Sequence, residues 1–179
     1  RNLKSAGLIL AGIGFLFLGI HFMKVGFEAF QQGLDLTRFA VTGFTGVLIY
    51  TAVGIVATVV MQSSHATLIL AIAALAAQQI TYENSLAIAI GANVGSTVTA
   101  VIGALGANAA GKRLAGAHLI FNLTTGILAV ALLGYVAIAV DGISRMIGIA
   151  ADDYTLKFAV FHSLFNITGV ALMLPATSS

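Results

Sequence analysis

Cysteine is missing from all 179 residues, so the chain holds no thiolate metal site and carries no mark of its redox compartment. Charge is nearly as scarce. Eight Lys+Arg and six Asp+Glu make up 8% of the chain, against roughly 25% in an ordinary soluble domain. With 59% hydrophobic residues and a mean hydropathy of +1.05, too little polar surface exists to cover a soluble fold. A net charge of +2 is small and says nothing about nucleic acid, which is not expected as a partner. None of the four histidines stands at metal-ligand spacing from a carboxylate. Proline occurs once, at Pro175. Arg1 and Lys4 precede an apolar run, but no small-residue cleavage site and soluble domain follow it. Because the chain starts at Arg1 rather than Met, it reads as a piece of a longer protein.

What is present is a set of long uncharged runs: residues 5–23, 39–82, 84–111, 114–140 and 158–179. A bilayer core about 30 Å thick takes about 20 helical residues to cross. The pattern predicts an all-α, polytopic membrane protein with a helix over 5–27 and a loop over 30–38. Single helices are also expected over 114–140 and 156–175. Residues 39–82 are too many for one crossing.

Two runs carry polar clusters near their midpoints. Gln62-Ser63-Ser64-His65 lies in 39–82, and Gly91-Ala92-Asn93-Val94-Gly95-Ser96-Thr97 lies in 84–111. At membrane depth an unsatisfied backbone group costs several kcal/mol, so irregular backbone survives only inside protein or along a polar cavity. Two glycines would each weaken a continuous helix by about 1 kcal/mol. The expected arrangement is a re-entrant helical hairpin over 39–82 with Gln62–His65 at its tip, followed by a helix over 84–111 broken at Gly91–Gly95. Midplane breaks of this kind build sites in many secondary transporters.

Hydroxyls and an amide carbonyl are neutral oxygen ligands that suit Na⁺. A helix starting at Ala66 would turn free N–H groups and its positive dipole end toward an anion. Ser and Thr would equally satisfy a hairpin turn or bridge helices. In the second cluster Asn93 and Thr97 are four apart, and Ser96 and Thr99 three apart, so either pair can share a helix face. Glycine with small polar residues also describes a tight helix crossing.

Gln62-Ser63-Ser64-x-Ala66-Thr67, followed by Gly91-Ala92-Asn93-Val94-Gly95-Ser96-Thr97, resembles the type II sodium/phosphate cotransporter family. His118-Leu-Ile-Phe121-Asn122 and the closing Phe161-His162-Ser163-Leu164-Phe165-Asn166 extend the resemblance. That family is built from two inverted-topology repeats, and this chain resembles one, most like the second of a bacterial member. The resemblance implies that a partner repeat, the first, is missing, and that it lies in the same polypeptide or is replaced by a second copy in inverted orientation. It implies that Gln62, Ser96 and Thr99 hold sodium with Asn93, and that Ser63 and Ser64 contact phosphate beside Asn93 and Thr97. His65 stands where many members have a third serine, which puts a titratable imidazole, ordinarily of pKa about 6.5, at the tip and makes it a possible pH-sensitive residue. Ser96 replaces the usual threonine and keeps its hydroxyl.

The expected function is sodium-coupled import of inorganic phosphate by alternating access, in the lipid of a bacterial inner (plasma) membrane, with Na⁺ as the coupling ion. A passive channel for an anion or small solute is the alternative on the same midplane half-helices. An enzyme is not expected, because no Ser/His/Asp constellation or carboxylate pair lies at membrane depth. His118 and His162 head a shared His-x-x-Phe-Asn pattern and are expected to bond between helices.

Overall fold

The computed structural model describes residues 2–33 and 41–177, and every regular element among them is a helix. The chain divides into two units, Arg1–Arg38 and Phe39–Ser179. The first holds one helix, α1 (Asn2–Gly33). It contains the span expected over 5–27 and overruns the start of the expected loop. Residues 34–38 of that loop lie outside the described residues.

The second unit contains α2 (Gly43–Met61), α3 (Ser64–Ala76), α4 (Tyr82–Ala104), α5 (Ala109–Ala131), α6 (Leu133–Met146) and α7 (Tyr154–Thr177). Four of these are long and apolar enough to cross a membrane: α2, α4, α5 and Tyr154–Leu172 of α7. Side chains cap the starts of α4, α5 and α7. Thr81 Oγ1 accepts from Asn84 N–H at 3.2 Å, Asn108 Oδ1 from Gly111 N–H at 3.0 Å, and Asp153 Oδ1 from Leu156 N–H at 2.9 Å. Each satisfies one amide that the first helical turn leaves without a partner.

Helix α4 is the centre of the unit and touches α2, α3, α5 and α7. Its Leu86, Ala87, Ala89 and Ile90 have no exposed surface. Contrary to the expected break over 91–95, α4 runs unbroken from Tyr82 to Ala104. The glycines serve packing instead. A Cβ on Gly91 would collide with Thr51 O of α2, and one on Gly54 of α2 with Ile88 O of α4. A Cβ on Gly95 would lie 2.8 Å from both Ile55 O and Thr58 Cβ. Contacts advance in the same direction along both helices, so α2 and α4 run parallel, backbone against backbone. Glycine's cost in helix propensity is about 1 kcal/mol, which close packing along a whole helix outweighs.

Two other boundaries differ from the charge-gap reading. The chain turns at 105–108, so Lys112 and Arg113 lie inside α5 rather than between helices. The span expected over 114–140 divides at Leu132 (φ −108°, ψ 15°) into α5 and α6. Neither proline nor glycine stands there. The bend lets α6 pack chiefly on α7, burying Leu133, Val140 and Ser144 while Tyr135, Ile138 and Met146 stay exposed. Helix α6 then continues past Asp141, whose carboxylate pairs with Lys157 Nζ of α7 at 2.8 Å. Lys157 also donates to Ala151 O at 2.6 Å. The His-x-x-Phe-Asn patterns bond within their own helices. Asn122 Nδ2 donates to His118 O at 3.1 Å and Asn166 Nδ2 to His162 O at 2.7 Å, because an Asn four residues on reaches its own helix's carbonyl before any neighbour.

Candidate functional site at the hairpin tip

Helix α2 stops because Gln62 takes the left-handed conformation (φ 53°, ψ 27°) and Ser63 is extended (φ −154°, ψ 109°). Outside glycine the left-handed region costs about 1–2 kcal/mol. Gln62 offsets part of this by folding its amide back, Nε2 donating to Val59 O at 2.6 Å, one of the last carbonyls of α2. Ser63 then caps α3, its Oγ accepting from Ala66 N–H at 3.2 Å. The hairpin over 39–82 is therefore present from residue 41 onward, with its tip at the expected residues. The carbonyl end of α2 and the amide end of α3 meet there, so opposite dipole ends lie side by side.

A cavity of about 260 Å³ opens at this tip, lined by Thr58, Gln62, Ser63, Ser64, His65, Ser96 and Thr99. It joins the first expected cluster to Ser96 and Thr99 of α4. Asn93 and Thr97 do not line it. Asn93 instead supports Ser96, whose Oγ donates to Asn93 O at 2.6 Å. Thr97 is fully buried and donates to Val94 O at 2.6 Å. His65 is exposed at the rim. Sequence reasoning passed over Thr58, which is 1% exposed. Its signal is plain in hindsight: a lone hydroxyl in Val56-Ala57-Thr58-Val59-Val60-Met61, one helical turn before Gln62.

The hydroxyl protons sort these groups. A carbonyl only accepts, so Ser96 commits its proton to Asn93 O and turns lone pairs to the cavity. Ser63 does the reverse. Its oxygen accepts from Ala66 N–H, and its proton remains to donate. Thr99 Oγ1 and Asn93 Nδ2 are buried and find no hydrogen-bond partner among the described residues. The pocket thus offers acceptor oxygens from Ser96 and Gln62, together with donors from Ser63 and the α3 N-terminus.

Four helices long and apolar enough to cross a membrane, with a polar cavity where a short helix starts, define an integral membrane protein. The chain belongs to the Na⁺/Pi-cotransporter family, whose model matches residues 32–161. It is 26% identical over 179 residues to "Uncharacterized protein YqeW" of Bacillus subtilis (strain 168), covering 98% of this chain and 55% of that protein. It is 25% identical over 171 residues to "Putative inorganic phosphate export protein YjbB" of Escherichia coli (strain K12), covering 94% of this chain and 30% of that protein. The chain thus spans about half of one relative and under a third of the other. No solved structure matches it. Helical spans and bacterial relatives together place it in the inner (plasma) membrane.

Proposed function

We propose that this chain forms half of the ion pathway of a sodium-coupled transporter that imports inorganic phosphate by alternating access. One observation carries the reading. A single cavity holds the carbonyl end of α2 with acceptor oxygens, and the amide end of α3 with donor hydroxyls. Sodium fits the first set through Gln62, Ser96 and Thr99, with Asn93 orienting Ser96. Phosphate fits the second through Ser63, Ser64 and the free amides of α3. Thr97, one position beyond Ser96, packs behind this wall.

Cation and anion bind side by side and screen one another, so each raises the other's affinity. Sodium biases the carrier only through its differential affinity for the two facing states. A second repeat in inverted orientation, within a longer polypeptide or from another copy, supplies the opposing wall, and the unpartnered Asn93 Nδ2 is left for it.

Radiolabelled phosphate uptake into proteoliposomes, driven by sodium against potassium or choline, tests the reading. Concentrative uptake only under a sodium gradient supports it. Equilibrating flux without ion dependence makes the protein a passive channel instead. The name of the Escherichia coli relative favours a second reading, phosphate export. Vesicles loaded with phosphate, with sodium inside or outside, decide the direction.

A further inference from the structure

We infer that Thr58 is a further cation ligand of the tip cavity, an inference that rests on the sodium reading. It is made by a chain of three groups whose hydrogen-bond directions are forced. Thr67 Oγ1 lies 3.2 Å from Ser63 O, which can only accept, so the Thr67 proton is committed there. Thr58 Oγ1 lies 2.8 Å from Thr67 Oγ1. Since Thr67 has no second proton, Thr58 must be the donor. A threonine hydroxyl has one proton and two lone pairs. With its proton fixed on Thr67, Thr58 has only lone pairs left.

Those lone pairs belong to a side chain lining the cavity with Gln62, Ser96 and Thr99. Thr58 is 1% exposed and Thr67 not at all, so water does not compete for the bond and the hydroxyl stays in one rotamer. A fixed acceptor with no free proton suits a small hard cation. It repels phosphate oxygens. Thr58 also lies in the last turn of α2, where the helix dipole favours positive charge. Burying it against Gly95 of α4 holds that oxygen next to the turn that carries Ser96 and Thr99. Thr67 acts differently. It touches the α2 limb and the Ser63 carbonyl, fixing the rotamer of Thr58 without lining the cavity itself.

The two roles separate by substitution. Thr58→Val keeps the shape and removes the oxygen, leaving Thr67 still bonded to Ser63 O. Thr67→Val leaves the Thr58 oxygen in place. The experiment measures phosphate uptake against sodium concentration in proteoliposomes, with sodium-dependent thermal stabilisation of the full chain as a second readout. Losing one ligand to a charged group raises the sodium half-saturation about tenfold for Thr58→Val. Thr58→Ser stays within about twofold and Thr67→Val within about threefold. The phosphate half-saturation at saturating sodium stays put throughout. Should Thr58→Val fail to fold, Thr58→Ala takes its place as the hydroxyl-free variant. Equal shifts for Thr58→Val and Thr67→Val would make the pair a structural latch and overturn the inference. So would a Thr58→Val protein with unchanged sodium dependence. If the unsubstituted chain shows neither sodium-dependent uptake nor sodium-dependent stabilisation, the sodium reading falls, and this inference with it.

Discussion

Two stretches of this chain look alike on paper and fold differently. Gln62–His65 and Gly91–Thr97 both set small and polar residues in the middle of an apolar run. The first interrupts the helix, with Gln62 left-handed and Ser63 capping α3. The second lies inside an uninterrupted helix, with its glycines against the backbone of α2. The difference is in what each can do with its backbone groups. Ser63 offers a side-chain acceptor for an amide that the break frees, and Gln62 a donor for a carbonyl. In the second stretch Ser96 and Thr97 turn their hydroxyls onto their own helix's carbonyls, which leaves no local partner for a broken turn. A break forms where side chains can replace the lost hydrogen bonds. Glycine alone marks a close approach.

The largest expected effect tests the packing half of that contrast. In Gly91→Val the added carbons collide with Thr51 O, a backbone atom that cannot step aside. Overpacking at this level destabilises by about 1–3 kcal/mol or more, and monodisperse folded yield in detergent should collapse. A Gly91→Val protein that unfolds at the unsubstituted temperature would mean α2 and α4 do not meet there. At the tip the reverse substitution sharpens the contrast. Gln62→Gly relieves the left-handed strain, so thermal stability should hold or rise by up to about 1 kcal/mol. Its sodium half-saturation should nevertheless rise about tenfold. Stability and sodium affinity moving together would show that Gln62 serves the turn alone.

Smaller shifts separate the two walls of the cavity. Ser96→Ala should raise the sodium half-saturation about fivefold and leave phosphate nearly alone. Ser63→Ala should do the opposite, and lose about 1 kcal/mol of stability because it also removes the α3 cap. Titrating uptake against each ion in both variants reads this out, and identical profiles would erase the distinction between donors and acceptors. The least effect is expected at the rim, where His65 is exposed. His65→Ser should leave the sodium half-saturation within about twofold of the unsubstituted value, and a larger shift would give the ring a part in ion binding.

The hairpin was legible because Gln62-Ser63-Ser64 combines a donor, two acceptors and a place between apolar runs, which few other arrangements use. The break at Leu132 was not, since neither residue type nor charge marks it and only packing of α6 on α7 requires it. The resemblance implies roles for Asn93 and Thr97, but rotation about the helix axis decides which residues face the cavity, and that angle is set by Gly91 and Gly95 meeting α2. Thr58 was missed for the complementary reason. A lone threonine in a valine-rich run looks like a strand former or a packing residue until its partner Thr67 is seen across the hairpin.

Helix α3 has 13 residues, which at 1.5 Å per residue is about 20 Å and short of a 30 Å hydrocarbon core. A segment of this length leaving the ribosome cannot span the bilayer as an independent unit, and its first amides and the Thr67 hydroxyl would meet lipid. It becomes stable at depth only once α2 is in place to offer Thr58 and α4 has arrived to cover its inner face. Membrane integration of the hairpin is therefore a late and cooperative event. It waits until α4 (Tyr82–Ala104) has been made, and a chain truncated before α4 should be recognised by quality-control proteases as unfinished.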